Sequence, residues 1–170
     1  MTRNVAFTIR STPLGLLLVA ASERGVCHVH VGTSRAALEA GLARELPAAA
    51  LARGGARVEQ WADVLAAACE GRADAAAVPL DVAGSRFQRR VWDALRRIPC
   101  GATRGYGEVA EALGQPRAAR AVARACATNP VPLAVPCHRV VPKNGGVGGY
   151  RLGSWRKRAL LAVEAAPRSS

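Results

Sequence analysis

The sequence predicts an α/β domain over residues 1–77 followed by a mainly α-helical domain over residues 78–170. Short apolar runs separated by turn residues fill the first part, whereas apolar residues spaced by three and four fill the second. A chain of 170 residues is long enough to bury one core or two small ones. The Ala- and Asp-rich stretch of residues 72–77 is the predicted linker between the two.

In the first domain, residues 5–9, 16–21 and 26–31 are predicted to be short strands, and the turns between them favour an antiparallel meander. A helix is predicted over residues 34–46, with Ser34 as its N-cap and Pro47 as its stop. Small residues at positions 48–55 indicate a loop, and residues 58–69 a second helix.

The second domain is predicted to be helical from Ser85 onward. Phe87, Val91, Leu95 and Ile98 recur at spacings of four and three, which is the apolar stripe of an amphipathic helix capped by Ser85. Helices are further predicted over residues 106–113, 116–127 and 156–166. The first two of these, joined by a short turn with glycine, match the helix-turn-helix pattern.

Charge is distributed unevenly along the chain. The whole sequence has 24 Lys+Arg against 12 Asp+Glu, a formal net charge of +12. From residue 85 onward there are 16 basic and 4 acidic residues, so that half carries the entire excess. A one-sided basic domain indicates a polyanionic partner, most often nucleic acid.

Cysteine usage and hydropathy exclude several classes of protein. Five cysteines without a CxxC spacing argue against a disulfide framework or a zinc ribbon and favour a reducing compartment. The N-terminus lacks the apolar core of a signal peptide, and no apolar run approaches the ~20 residues that span a bilayer. We therefore expect a cytoplasmic protein with no membrane partner.

The run from Pro136 to Val141 holds the strongest chemical signal. It places Cys137 directly before His138 and Arg139, and neighbouring cationic or imidazole groups favour the nucleophilic thiolate. Adjacent side chains point apart, so a water is the expected relay between the thiol and His138. An orienting carboxylate is then needed, and Glu164 is the candidate because it shares a helix face with Leu160 and Leu161.

The other cysteines are interpreted as structural thiols, and no metal site is expected. Cys27, His28 and His30 cluster in sequence, but on a strand the two histidines share one face and Cys27 takes the other. No fourth ligand stands out there.

The stretch from Phe87 to Ala165 resembles the O6-alkylguanine-DNA alkyltransferases, and above all the C-terminal half of Ada-type proteins. The N-terminal half matches more loosely, through residues 11–15 and the strands after them. The resemblance implies a ribonuclease-H-like fold for that half. The matching motifs are Phe87-Gln88 with Val91-Trp92, Ile98-Pro99-Cys100-Gly101, Tyr106-Gly107-Glu108-Val109-Ala110, Ala118-Ala119-Arg120-Ala121-Val122, Asn129-Pro130-Val131-Pro132, PCHRVV, Gly149-Tyr150-Arg151, and Leu160-Leu161 before Glu164.

The resemblance also implies roles for single residues. Cys137 would be the nucleophile, activated through a water by His138, which Glu164 orients. Asn129 would shape the active-site turn, and the Tyr106 hydroxyl would assist the leaving guanine. The implied substrate pocket includes Val140, Tyr150 and Arg151, and the implied DNA-binding residues are Arg117, Ala119, Arg120, Ala121 and Arg124, with Arg120 as the finger that fills the space of a flipped base.

Four positions depart from the family pattern. Arg104-Gly105 precedes Tyr106 where a hydrophobic residue and a serine are frequent, and Leu152 replaces glycine or tryptophan. Arg151 stands where some relatives use a serine near the guanine oxygen. That serine contact is therefore not carried over to this chain.

The predicted function is irreversible transfer of an alkyl group from O6-alkylguanine, and from O4-alkylthymine, in duplex DNA to Cys137. The base would be flipped from the minor-groove side. The protein would act once, without cofactor or metal, as a monomer with no obligatory protein partner. Two alternatives are a non-catalytic module that recognises alkylated bases, against which Cys137 argues, and a transcription regulator, for which a helix of small residues offers few base-reading side chains.

Overall fold

The computed structural model describes residues 2–167, so residues 1 and 168–170 of the predicted domains lie outside it. The chain divides into two compact units, one up to Val82 and one from Ala83 onward. The predicted boundary, after Ala77, lies earlier. Residues 78–82 belong with the first unit because Val26 N–H bonds to Pro79 O at 2.8 Å and Asp81 N–H to Val26 O at 2.9 Å.

The first unit is a four-stranded mixed sheet with two helices, which confirms the predicted α/β class. The strands β1 (Arg3–Thr12), β2 (Gly15–Ala21) and β3 (Val26–Gly32) form the antiparallel meander expected from the sequence. The helices are α1 (Arg35–Glu45) and α2 (Ala56–Cys69), and a 3₁₀ turn follows at Ala75–Ala77. Ser34 caps α1 as predicted, accepting a hydrogen bond from Ala37 N–H at 3.2 Å.

A fourth strand, β4 (Ala49–Arg53), replaces the loop predicted over residues 48–55. It pairs in parallel with β1, with Val5 opposite Leu51, and gives the strand order β3-β2-β1-β4. Three of its five residues are alanine, which has low strand propensity, so the pairing with β1 decides its conformation. The core of this unit contains Val5, Phe7, Leu18, Ala20, Cys27, Leu38 and Leu42.

The second unit is helical, as predicted, apart from one short strand pair. Its elements are α3 (Arg86–Leu95), β5 (Arg104–Gly105), α4 (Tyr106–Ala112), α5 (Ala119–Ala127), a 3₁₀ turn (Cys137–Arg139), β6 (Val140–Val141) and α6 (Ser154–Ala165). The helix α3 begins with a complete capping box between Ser85 and Gln88. It packs against both α4 and α5.

The helix α5 begins later than the sequence pattern indicates. The predicted helix begins at Pro116, but Ala118 N–H bonds to Gln115 O at 2.9 Å and closes a separate turn before α5. Gly114 precedes that turn at φ +74°, a conformation that glycine adopts without strain. Arg117 therefore lies in the connection between α4 and α5, and not on α5 itself.

Indole and amide bonds fix α3 to the end of α5. Trp92 Nε1 donates to Ala125 O at 2.9 Å, and Gln88 Nε2 donates to Thr128 Oγ1 at 3.0 Å. Trp92 and Ala125 are buried, so this contact belongs to the core of the unit. It ties α3 to the last turn of α5, which precedes the segment leading to Cys137.

Candidate active site

Cys137 is the first residue of the 3₁₀ turn and is 4% exposed. Its backbone N–H bonds to Val135 O at 2.8 Å, and its own carbonyl accepts from Val140 N–H at the end of the turn. All residues from Val131 to Val140 are buried. The thiol is thus held on a rigid, densely packed backbone.

Asn129 organises the segment before the thiol through its side-chain amide. Oδ1 accepts from Val131 N–H at 2.9 Å, and Nδ2 donates to Val135 O at 3.0 Å and to Cys137 Sγ at 3.3 Å. The same turn holds Leu133 at φ +76°, a left-handed conformation that is unfavourable for a non-glycine residue. One fully buried amide therefore links the strained turn to the sulfur.

His138 faces Glu164, which lies on α6. Nε2 of His138 and Oε1 of Glu164 are 2.7 Å apart, and both side chains are nearly buried. An ionised carboxylate only accepts hydrogen bonds, so Nε2 carries the hydrogen and, in the neutral ring, Nδ1 is the acceptor. Nδ1 is also buried and has no hydrogen-bond partner among the atoms of residues 2–167.

Arg139 binds the same carboxylate. Its Nε donates to Glu164 Oε2 at 3.1 Å and its Nη2 to Oε1 at 2.9 Å, while Nη1 donates to Ile98 O at 2.8 Å. Burial by itself would raise the pKa of Glu164, but the hydrogen bonds from His138 and Arg139 lower it to about 2. Glu164 is therefore a carboxylate at any physiological pH.

Lys157 is a second buried cation and belongs to α6. It is 0% exposed, and its Nζ donates to Val140 O at 2.7 Å and to Gly149 O at 3.3 Å. Burial lowers the pKa of this ammonium, whereas negative charge on Cys137 and Cys126 would raise it. The Val140 carbonyl thus already accepts one bond, and its second lone pair is left for a ligand.

The electrostatics of Cys137 are a balance between burial and positive charge. Burial raises the pKa of the thiol. The hydrogen bond from Asn129 and the charges of Lys157 and Arg151 act in the opposite direction. Burial outweighs these contacts, so the pKa of the resting thiol is raised, and Asn129, Lys157 and Arg151 lower the cost of forming the thiolate.

Tyr106 reaches the site through the short strand pair. Arg104 and Gly105 pair in parallel with Val140 and Val141, so the first residue of α4 follows directly after the strand that flanks the 3₁₀ turn. Burial raises the pKa of Tyr106, and negative charge on Cys126 and Cys137 raises it further. The phenol is consequently a hydrogen-bond donor at neutral pH.

Tyr150 and Arg151 contact two other residues of the site. The Tyr150 ring lies edge-on to His138, with ring centroids 6.2 Å apart. Arg151 Nη1 donates to Asn129 O at 2.9 Å. The structure thus brings together Asn129, Cys137, His138, Val140, Tyr150, Arg151 and Glu164 from the residues considered in the sequence.

The predicted DNA-binding residues lie on α5 and in the connection before it. Arg120 and Arg124 project from α5, and both are exposed, as is Arg117. Within residues 2–167 none of these three guanidinium groups forms a hydrogen bond or an ion pair. Ala119 and Ala121 flank Arg120 and are partly buried.

The remaining cysteines differ in burial. Cys27, Cys69 and Cys126 are buried, and burial raises the pKa of Cys69 to about 11 and that of Cys126 to about 12. Cys100 is partly exposed, which differs from the buried position expected of a structural thiol, because it lies in the turn after α3 that Ala102 N–H closes to Pro99 O at 3.0 Å. Among the residues described, no three His, Cys, Asp or Glu side chains are grouped as metal ligands would be.

Sequence reasoning did not foresee the contacts of Arg139 and Lys157. A signal for Lys157 was present, because it precedes Leu160 and Leu161 by three and four residues and so shares the apolar helix face that pointed to Glu164. Arg139 carried no such signal. Its partners, Ile98 and Glu164, are distant in sequence and meet it only in the folded unit.

Comparison with known proteins identifies the family. A family model described as 6-O-methylguanine DNA methyltransferase, DNA binding domain, matches residues 86–166. The crystal structure of Mycobacterium tuberculosis O6-methylguanine methyltransferase superposes with a TM-score of 0.78 at 36% sequence identity, covering 97% of this chain and 96% of that one. The chain belongs to the O6-methylguanine-DNA methyltransferase family, also called the methylated-DNA–protein-cysteine methyltransferases.

Other relatives extend the comparison. The bifunctional transcriptional activator/DNA repair enzyme Ada of Escherichia coli (strain K12) is 43% identical over 161 residues, which are 95% of this chain and 46% of Ada. The chain spans about half the length of the curated relatives it matches. The crystal structure of M. tuberculosis OGT in complex with DNA matches with a TM-score of 0.77 at 35% identity, over 94% of this chain and 92% of that one.

No helix within residues 2–167 is both long and apolar enough to cross a membrane.

Proposed function

We propose that this protein repairs alkylated DNA by transferring the alkyl group of O6-alkylguanine, and of O4-alkylthymine, irreversibly to its own Cys137. Two adjacent contacts support this most directly. Asn129 Nδ2 donates to Cys137 Sγ, and the next residue, His138, is hydrogen-bonded to the carboxylate of Glu164. A structural cysteine does not need a buried histidine and carboxylate beside it. Membership of the methyltransferase family supports the alkyl-transfer reaction in this proposal.

The reaction is a displacement at carbon. The Cys137 thiolate attacks the methyl carbon, an S–C bond forms, and the bond between that carbon and the guanine oxygen breaks. The electron pair of the broken bond stays on the guanine, which becomes neutral guanine when it takes up a proton. The product is a thioether with no proton to lose, so each protein molecule reacts once.

His138 serves as the base that takes the thiol proton. The carboxylate of Glu164 holds Nε2–H, so the lone pair of Nδ1 is the basic position. Because His138 directly follows Cys137 in the 3₁₀ turn, a bridging water is the proposed path for the proton. The charge of Arg139 keeps Glu164 ionised while His138 becomes protonated.

The leaving guanine needs a donor, and Tyr106 is the proposed one. Its protonated hydroxyl bonds the purine as negative charge develops on it. The carbonyls of Cys137 and Val140 each have a second lone pair for the amino edge of guanine. Tyr150 and Arg151 complete the proposed pocket.

The basic surface of α5 is the proposed DNA contact. We propose that α4 and α5 act as a helix-turn-helix whose second helix enters the minor groove, where Ala119 and Ala121 permit close approach. Arg120, which is exposed and has no hydrogen bond or ion pair to other residues of the range 2–167, would enter the stack as the damaged base is flipped out. Arg117 and Arg124 would contact phosphates.

The N-terminal unit is proposed to be a ribonuclease-H-like domain. The mixed sheet of order β3-β2-β1-β4 with two helices supports this assignment. In this proposal the protein has two domains, and the alkyl-accepting cysteine and the DNA-binding helices both belong to the second domain.

Intact mass tests the proposed function directly. After incubation with duplex DNA that contains O6-methylguanine, the protein mass should rise by one methyl group, located on the peptide with Cys137. An unchanged mass, or a methyl group on another cysteine, would exclude the proposed reaction. Cys137→Ala should bind the same DNA with similar affinity and gain no mass; equal loss of binding would make the residue structural.

Arg120→Ala tests base flipping. The variant should react with methylated duplex DNA far more slowly than wild type, yet with the free modified base at a similar rate. Arg44→Ala, an exposed arginine at the end of α1, is the matched control for loss of one positive charge. If Arg120→Ala slowed the reaction with duplex DNA and with the free base equally, Arg120 would not be the residue that fills the space of the flipped base.

A further inference from the structure

Arg151 occupies a fixed position beside the nucleophile. It is the second residue of a four-residue turn, Tyr150 to Gly153, closed by Gly153 N–H to Tyr150 O at 2.9 Å. The next residue, Leu152, is buried, and Tyr150 packs edge-on against His138. The guanidinium is therefore aimed from an anchored turn and not from a mobile loop.

The partner of Arg151 connects it to the sulfur. Its Nη1 donates to the backbone carbonyl of Asn129 at 2.9 Å, and the side chain of the same Asn129 donates to Cys137 Sγ at 3.3 Å. The positive charge of Arg151 acts on Cys137 from this position. Arg151 thus donates to the same residue that donates to the thiol, and its positive charge favours the thiolate form of Cys137 over the thiol.

The two cations near Cys137 differ in chemistry. Lys157 is fully buried, and burial favours its neutral form. A guanidinium does not lose its proton in proteins, so Arg151 remains charged at every pH at which the site works. Arg151 is consequently the permanent counter-charge for the thiolate, at the position where some relatives have a neutral serine.

Other titratable or charged groups surround the thiol and have to be kept constant in any test. They are Tyr106 of α4, Cys126 of α5, His138 and Arg139 of the 3₁₀ turn, and Lys157 and Glu164 of α6. None of them is changed by substitution at Arg151.

We propose that Arg151 is a positioning residue that makes the Cys137 thiolate easier to form, by anchoring Asn129 and by placing a permanent positive charge near the sulfur. This inference rests on the proposed function, since it concerns the same nucleophile. Its readout can nevertheless be separated from DNA repair, because a thiolate also reacts with simple electrophiles.

Iodoacetamide alkylation as a function of pH measures the thiolate at Cys137. The thiolate forms an S–C bond, the C–I bond breaks and iodide leaves, so the rate follows the ionised fraction. Peptide mass mapping separates Cys137 from the partly exposed Cys100. Arg151→Gln should move the midpoint of the rate–pH profile upward by about one unit and slow the reaction about tenfold below it.

Two further variants separate charge from structure. Arg151→Lys should restore most of the reactivity because it keeps the positive charge. Arg151→Ser provides a second neutral variant if the glutamine protein does not fold. Arg156→Gln is the matched control, because Arg156 also donates to a backbone carbonyl, that of Leu152 at 2.8 Å, on the same segment.

The outcomes are distinct. A midpoint in Arg151→Gln or Arg151→Ser equal to that of Arg156→Gln would overturn the inference, and so would an Arg151→Lys protein as slow as the neutral variants. If wild type failed to accept a methyl group from DNA, the proposed function would be lost, whereas the comparison of midpoints would still decide the role of Arg151.

Discussion

Replacing Glu164 with glutamine tests the electrostatic centre of the site and has a calculable effect. The pKa of Glu164 is lowered from 4.5 to about 2. At about 1.4 kcal/mol per pH unit, the ionised carboxylate contributes about 3 kcal/mol to the free energy of unfolding. The side chain is only 6% exposed, so solvent screens little of this contribution.

The pH dependence follows from the sign of the shift. Because the folded-state pKa lies below the unfolded value, the contribution is complete above about pH 4.5 and disappears as the pH falls towards 2. Wild type should therefore exceed Glu164→Gln by about 3 kcal/mol at pH 7, and this gap should shrink steadily below pH 4.5. Methyl transfer at pH 7 should fall as well, since His138 loses its ionised partner.

Urea unfolding between pH 2.5 and 7, followed by tryptophan fluorescence, measures the gap. Trp92 is buried in the same unit as Glu164 and reports on its unfolding. Glu111→Gln, at an exposed carboxylate of α4, is the control and should differ from wild type by less than about 0.5 kcal/mol. A gap that stays constant from pH 7 to pH 3 would refute the argument, because the charge of Glu164 would then not be its source.

Two other substitutions test single contacts. Asn129→Ala should destabilise the second unit by about 2–4 kcal/mol, since Val131 N–H loses its acceptor in a buried turn, and should slow iodoacetamide at Cys137; unfolding and alkylation rates measure both, and unchanged stability would contradict the bonding described. Gly25→Ala would place a Cβ atom 2.5 Å from Pro79 O and should destabilise the first unit by about 1–3 kcal/mol. The rate of Cys137 alkylation should stay at the wild-type value. Thermal unfolding with an alkylation assay tests this, and wild-type stability would show that the close approach is relieved without strain.

Much of the helical half could be predicted from local sequence. Ser85 and the apolar stripe that begins at Phe87 predicted α3. The spacing of Glu164 from Leu160 predicted that both side chains lie on one face of α6. These signals are local, since capping and helix periodicity involve residues three or four apart. The PCHRVV run pointed to Cys137 and His138 because the thiol and the imidazole are adjacent in the sequence.

What could not be predicted depends on distant parts of the chain. The strand β4 forms because its backbone pairs with β1, some 45 residues earlier by the register of Val5 and Leu51, and its alanines give no strand pattern. Arg139 has no acidic residue near it in sequence, yet it is only 2% exposed because Glu164 and Ile98 O accept its hydrogen bonds in the folded unit. A buried charge is recognised only when its partners are known.

The order of elements along the chain has a consequence for synthesis. The thiol and imidazole leave the ribosome before α6, which brings both the carboxylate that orients His138 and the buried lysine on Val140. Since chains fold from the N-terminus as they emerge, a nascent Cys137 lacks the contacts that α6 supplies until translation has passed residue 164. In the proposed reaction, in which each molecule is used once, the nucleophile would therefore be assembled only after α6 has been made.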